Sequence, residues 1–169
     1  MKITTKSRAY EQVMAMKRTK RRKPMRPIFL LQLVIRILAI FDLLPTGFTY
    51  DMHGMEKIGK KAFYSAKNLI SVEATSKLCC IEEKAFSLCS QLCFFRGADR
   101  LDVIGDGAFA VCSALSVFAF PETIRSIGED AFSYCESLTV VNLPDNVVLG
   151  KGAFAACTNL SNFDFADLG

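Results

Sequence analysis

Apolar positions recur through residues 58–165 in blocks of 22 or 23 residues, and each block repeats one order of residue types, Ile-Gly-x-x-Ala-Phe-x-x-Cys-x-x-Leu-x-x-Val. The isoleucine position steps by 23, 23, 23 and 22 residues and holds Ile58, Ile81, Ile104, Ile127 and Leu149. The aromatic position holds Phe63, Phe86, Phe109, Phe132 and Phe154. One block is too small to bury its own apolar side, so five blocks in register predict stacked coils around a continuous core.

Within each block the pattern predicts one short strand and one tight turn. Residues 138–143 alternate in the way typical of a strand, and Pro144 ends it. The segment from Ile127 to Cys135 begins with a turn, and the four-residue spacing of Ala131 and Cys135 favours one α-helical or 3₁₀ turn. We therefore predict an α/β repeat solenoid with short parallel strands on one face and short helical turns on the other. A shared column of glycines predicts positive φ at Gly59, Gly105, Gly128 and Gly150.

These units resemble the BspA-like leucine-rich repeats, which have the same Ile-Gly-x-x-Ala-Phe-x-x-Cys-x-x-Leu order with a later Pro. The stretches 104–121 and 127–144 match almost completely, whereas the first unit lacks the Cys and the second lacks the Gly and the Pro. The resemblance implies a leucine-rich-repeat solenoid, non-enzymatic binding to proteins or surfaces, and frequent presentation outside the cell. It carries over no ligand and no functional residue.

Charge divides the chain into segments. Residues 1–53 hold eleven Lys and Arg against three acids, whereas the remainder holds ten against fourteen. We expect a basic head at 1–27, an apolar segment with a linker at 28–55, and a five-unit repeat array at 56–169. The polar stretch 50–55 looks like a flexible linker.

Three interpretations remain open for the apolar stretch 28–44, which is interrupted only by Gln32, Arg36 and Asp42. It is long enough for a helix of about 25 Å, and its basic flank suits a signal anchor, yet Arg36 makes insertion marginal. As a cleaved signal peptide it lacks a small-x-small site. The favoured interpretation is an apolar N-terminal cap on the first coil.

The outward positions of the predicted strands form the candidate binding site. Alternate residues of a strand face opposite sides, so in the predicted strand Leu-x-x-Val-x-Leu the third and fifth residues point outward. The apolar column Phe94, Val117 and Val140 is then rimmed by polar side chains, a composition typical of protein interfaces. The candidate partner-binding residues are Glu73, Phe94, Arg96, Val117, Val140, Asn142 and Asp164. The alternative is a small sheet surface covered by the N-terminal segment.

Other chemistry has little support. His53 is the only histidine, so no nucleophile–base pair or zinc set is evident, and we expect no enzyme activity, cofactor or metal. Most of the seven cysteines are expected to be packing residues, although bridges between adjacent coils stay open. The basic run 17–26 suits only nonspecific nucleic-acid contact, and residues 17–44 are compatible with membrane association.

The last coil, around Leu160 to Phe165, carries no polar capping sequence and suggests self-association or a place in a longer array. The function predicted from sequence is therefore a non-catalytic protein-binding or adhesion module. A membrane-anchored surface protein and a fragment of a larger array are the alternatives. Both a cell-surface and a cytoplasmic location remain open.

Overall fold

The structure is a computed structural model that describes residues 48–51 and 54–161. The predicted basic head, the apolar stretch 28–44 and His53 lie outside these residues, as do Asp164 and the end of the last coil.

Short parallel strands run through the whole described array. In chain order they are β1 (Phe48–Asp51), β2 (Lys57–Ile58), β3 (Leu69–Glu73), β4 (Cys80–Ile81), β5 (Phe94–Arg96), β6 (Val103–Ile104), β7 (Val117–Phe118), β8 (Ser126–Ile127) and β9 (Val148–Leu149). They form two parallel sheets, a first sheet in the order β1-β3-β5-β7 and a second in the order β2-β4-β6-β8-β9. The three blocks that begin at Ile58, Ile81 and Ile104 each contribute one strand to each sheet, and equivalent residues of successive blocks pair. The predicted solenoid with parallel strands is confirmed.

The strands differ from the prediction in two places. Residues 48–51, which precede the first recognised repeat unit, form β1, and Tyr50 pairs with Val72. Conversely, 138–143 follows the path of the first sheet but is not a strand. Hydrogen bonds still connect this part of the chain to both neighbouring coils. Ser137 N donates to Ser113 O in the preceding coil, and Ser161 N in the following coil donates to Thr139 O. The alternation of apolar and polar residues therefore did not predict correctly which coils contribute a strand to the first sheet.

No helix occurs within 54–161, so the helical part of the predicted fold is not confirmed. The segment after each isoleucine is a chain of turns in which alternate N–H groups point to the next coil. Phe63 N, for example, donates to Ala85 O at 2.7 Å, whereas the N–H groups of Ala62 and Tyr64 donate three residues back. A helix needs consecutive N–H groups to bond within the segment, and here half of them hold the coils together.

This turn geometry depends on two columns of left-handed residues. One holds Lys61, Lys84, Gly107, Asp130 and Gly152, and the other holds Ser65, Leu88, Val111, Tyr134 and Ala156, all with φ between 52° and 66°. A left-handed conformation costs a non-glycine residue about 1–2 kcal/mol. The hydrogen bonds between coils offset that cost in each repeat.

The predicted reason for the glycine column was wrong. Gly105, Gly128 and Gly150 are not among the residues with positive φ. Glycine is needed there because the neighbouring coil lies too close. A Cβ on Gly105 would stand 2.8 Å from Glu83 N, and one on Gly128 would stand 2.6 Å from Asp106 N. Backbone contact between coils, and not an unusual turn, excludes a side chain.

Phenylalanine rings form the centre of the core, as the repeat columns predicted. The rings of the phenylalanine column are fully buried and stacked nearly parallel, with centroid separations rising from 4.9 Å for Phe63–Phe86 to 5.2 Å for Phe132–Phe154. A second pair, Phe95 and Phe118, stacks at 5.1 Å and meets the column edge-on. Two sets of aromatic contacts therefore hold successive coils together. One is the stacking within the phenylalanine column, and the other is the edge-on contact of Phe95 and Phe118 with that column.

The cysteine column is a row of buried free thiols. Each Sγ donates a hydrogen bond to the carbonyl of a phenylalanine in the preceding coil, at 3.0 Å from Cys89 to Phe63, 3.2 Å from Cys112 to Phe86, 3.3 Å from Cys135 to Phe109 and 3.1 Å from Cys157 to Phe132. The packing role expected from the sequence is confirmed, and the thiols also satisfy backbone carbonyls.

Candidate functional site

The outer face of the first sheet places two columns of candidate residues side by side. Register pairing sets Ser71 next to Phe94 and Phe94 next to Val117. The second column begins with Glu73, which pairs with Arg96. Adjacent strands lie about 4.8 Å apart, so neighbouring members of a column are within contact range. One continuous surface therefore contains the central candidates.

An exposed apolar row crosses this surface. Phe94 is 42% exposed, Val117 is 51% exposed and Val140 is 48% exposed, whereas their strand neighbours Phe95 and Phe118 are buried in the core. A large aromatic ring that is nearly half exposed on a rigid strand is a typical anchor for a protein partner. The row follows the axis of the solenoid over three coils.

An ion pair borders the apolar row. Arg96 Nε and Nη2 each lie 2.8 Å from Glu73 Oε1, with side-chain exposures of 64% and 45%. An exposed pair of this kind contributes at most about 1 kcal/mol to stability. Its effect is chiefly to hold the guanidinium over β3. Register also places Asp51 beside Glu73.

Three predicted site residues differ in their placement. Val140 and Asn142 are exposed on the segment that continues the first sheet without being a strand. Asp164 lies outside the described residues. The structure thus brings together Glu73, Arg96, Phe94 and Val117 in paired strands, and it extends the row to Val140 through a less regular coil.

Sequence reasoning missed the second sheet and its outer face. Register pairing aligns Lys57, Cys80, Val103, Ser126 and Val148 there. Val148 is 68% exposed and Val103 is 36% exposed, but a serine separates them. Only the residue before each isoleucine position could have indicated these strands in the sequence. That position holds charged, polar and apolar residues in different repeats, so it shows no recognisable strand pattern.

Reactive chemistry is not apparent around either sheet. Burial raises the pKa of the Cys80 thiol, and the Glu82 carboxylate raises it further, so the reactive thiolate is disfavoured. Within 54–161 no group of three His, Cys, Asp or Glu residues is arranged to hold a metal ion. The same residues contain no helix long and apolar enough to cross a membrane.

The two parallel sheets, the 22–23-residue period and the aromatic column define the class of protein as a leucine-rich-repeat solenoid. Residues 53–168 match the family described as "BspA type Leucine rich repeat region" in six copies. The chain belongs to this BspA-type leucine-rich repeat family. No curated protein matches the sequence.

Solved structures of similar fold come from several bacteria. A leucine-rich repeat protein of T. pallidum is 34% identical, with a TM-score of 0.64 over 70% of this chain and 58% of its own. One from Bacteroides ovatus is 27% identical, with a TM-score of 0.53 over 66% of this chain and 35% of its own.

A third, described as a leucine rich cell surface protein of Faecalibacterium prausnitzii, is 23% identical, with a TM-score of 0.54 over 75% of this chain and 40% of its own. At that identity the likeness concerns the fold alone. The chain thus spans just over half of the T. pallidum protein and less than half of the other two.

Proposed function

We propose that this protein is a non-catalytic binding module whose outer first-sheet face holds a protein or peptide partner. The observation that carries the proposal is the row of Phe94, Val117 and Val140, each 42–51% exposed, beside the Glu73–Arg96 ion pair. A row of exposed apolar side chains with a charged border has the composition of an interface. Membership of a repeat family with generally non-enzymatic, binding roles supports the same function.

Phe94 is the expected anchor of the interface. Its backbone is fixed between β3 and β7, and the neighbouring Phe95 is locked in the core by Phe86 and Phe109. A partner would therefore meet a ring on a rigid support and spend little free energy on ordering the backbone. Arg96 is the second anchor because its guanidinium keeps donors beyond those that reach Glu73.

The test uses a partner captured by the full-length chain and measures its dissociation constant by calorimetry. Phe94→Ala and Arg96→Ala are each expected to weaken binding by about tenfold or more, the size of a typical hot-spot loss. Val148→Ala is the matched control, since this valine is exposed on the second sheet. A double variant Phe94→Ala/Arg96→Ala that keeps its fold and binds the partner unchanged would refute the proposal.

A second candidate function is that of a segment in a longer repeat array. It is favoured by coverage, since this chain spans 58%, 40% and 35% of the three solved proteins. Self-association through the last coil belongs to the same idea, and most of that coil lies outside the described residues. Sedimentation of the purified chain tests it, because a strictly monomeric chain at high concentration contradicts self-association.

The cellular location of this chain is a separate hypothesis. The phrase "cell surface" belongs to the F. prausnitzii protein, and for this chain we infer a surface-adhesion role only if its partner proves extracellular. The signal-anchor alternative depends on residues 28–44, which lie outside the described residues. Retention in membranes after carbonate washing is the observation that would support it.

A further inference from the structure

The turns that lead from the second sheet to the first sheet form a further side of the solenoid. They comprise 59–67, 82–90, 105–113, 128–136 and 150–158, and we call their outer surface the turn face. Ser65 N donates to Ser87 O and Val111 N donates to Ser133 O, each at 2.8 Å, so successive turns lie in register. Equivalent residues of successive turns therefore form columns on a surface that is separate from the proposed binding face.

Apolar side chains are exposed at the middle of the turn face. Tyr64 and Val111 are each 38% exposed, and Tyr134 is 55% exposed. Leu88 is half-buried and shares one column with Val111 and Tyr134. The positions beside the rings hold small side chains, such as the buried Ser133. Tyrosine is enriched at protein interfaces, and the small residues beside the rings leave room for the side chains of a partner.

Charge is divided between the two ends of the same face. Three columns hold a lysine in the first turn and an acid in the fourth turn, namely Lys60 and Glu129, Lys61 and Asp130, and Lys67 and Glu136. Each pair is three repeat steps of about 4.8 Å apart, or roughly 14 Å, which is too far for an ion pair within one chain. Among the ion pairs within 54–161, none includes Lys67, Glu129, Asp130 or Glu136. The turn face is therefore basic at its first turn and acidic at its fourth.

We propose that two copies of this chain associate through the turn face, antiparallel to each other, about a two-fold axis between the second and third turns. In that arrangement the first turn of one copy lies against the fourth turn of its partner. Lys61 then faces the partner's Asp130, and Lys67 faces the partner's Glu136. Because the symmetry repeats every contact, opposite charges meet at both ends of the interface.

The same symmetry matches large side chains with small ones. Tyr64 faces the partner's Ser133, and Tyr134 faces the partner's Ser65, so each ring meets a position without a bulky side chain. At the centre, Leu88 faces the partner's Val111. Burial of these apolar side chains supplies the attraction, whereas the charged columns fix the antiparallel direction.

One position in this arrangement brings like charges together, since Glu83 faces the partner's Asp106. The Glu83 carboxylate is already paired within its own chain, with Lys60 and Lys84. Lys84 in turn faces the partner's Gly107, which has no side chain and directly follows Asp106. The lysine of one copy therefore lies beside the acid of the other and compensates the like charges.

The test exchanges charges in the full-length chain and measures molecular mass by sedimentation equilibrium. Lys61→Asp/Lys67→Glu places acids at both ends of the face, and Asp130→Lys/Glu136→Lys places lysines at both ends. Each new residue already occurs in the same column of another turn, so both variants are expected to keep the fold. The unaltered chain should be a dimer. Either variant alone should raise the dimer dissociation constant by about tenfold or more, because like charges then meet.

Mixing the two variants is the decisive measurement. The acidic first turn of one variant then meets the basic fourth turn of the other, and the remaining pair of ends is equally complementary. The mixture should therefore recover most of the lost affinity. Lys77→Glu/Arg100→Glu is the matched control, since it also reverses two exposed charges but in the loops that lead from the first sheet to the second, away from the turn face. It should leave the dimer unchanged.

Three results would overturn the proposal. One is an unaltered chain that stays monomeric at every concentration at which it is soluble. Another is a dimer that neither exchange weakens more than the control does. The third is a mixture of the two variants that associates no better than either variant alone. Association through the last coil is distinguishable, because head-to-tail contacts extend beyond a dimer. Oligomers that grow with concentration and do not respond to the exchanges would count against the proposal.

Discussion

Replacing Phe109 with alanine removes the ring at the centre of the aromatic core. Phe109 is fully buried and contacts four other rings. Phe86 and Phe132 stack on its two faces at 5.0 and 5.1 Å, and Phe95 and Phe118 meet it edge-on at 5.3 and 5.2 Å. We expect the substitution to be among the most destabilising single changes in the array.

The magnitude follows from burial and from the ring contacts. Truncating a buried phenylalanine typically costs about 3–5 kcal/mol, including the cavity that remains. An aromatic pair contributes about 0.5–1.5 kcal/mol beyond its buried area. The four rings belong to backbones held in register by both sheets, so they cannot collapse into the space. The expected loss in the free energy of unfolding is therefore about 4–5 kcal/mol, at the upper end of the range.

The assay is urea-induced unfolding of the full chain, followed by circular dichroism. Since coils contact only their neighbours, loss of the central ring should also uncouple the two halves of the array and lower the slope of the transition. Val148→Ala serves as the control, because this valine is 68% exposed and should change stability by less than about 0.5 kcal/mol. A loss below about 2 kcal/mol for Phe109→Ala, with the slope unchanged, would refute the idea that the stacked rings couple the coils.

Two further predictions concern the backbone contacts and the thiols. Gly128→Ala should destabilise the chain by about 1–3 kcal/mol, because its Cβ would press on the Asp106 backbone; thermal unfolding measures this, and a neutral effect would contradict the close approach of the coils. Burial raises the pKa of the Cys112 and Cys135 thiols, so iodoacetamide at neutral pH should leave both unmodified in the folded chain and modify both in denaturant. Native-state labelling of Cys135 as fast as that of Cys93 would contradict this burial.

The repeat columns of the sequence by themselves determine much of the architecture. Ala, Phe, Cys and Leu at a constant step must occupy equivalent environments, and the only stable arrangement of small amphipathic units is a stack. The aromatic column from Phe63 to Phe154 was predicted on this basis and is confirmed. The outward positions of Phe94 and Val117 followed from strand alternation, and both side chains are exposed. Their role in binding stays a prediction.

The contacts between coils could be determined only from the tertiary structure, because the groups that meet are about 23 residues apart in the sequence. Ala131 and Cys135 suit a helical turn by their spacing, but Phe132 N donates to Ala153 O in the next coil. The glycine at 128 suits a special turn by its type, but the backbone of Asp106 excludes a side chain there. The Arg96–Glu73 contact likewise needs the register of β3 and β5.

The sequence by itself determined that this protein is a stack of repeating coils with an aromatic core and an apolar outward row. Periodicity reports which positions share an environment, and burial of apolar side chains requires no knowledge of the partner. Only the tertiary structure decided which coils carry a strand in each of the two sheets, and that the turn between the sheets is not helical. Those choices depend on hydrogen bonds between coils, whose donors and acceptors come together only after the coils have stacked.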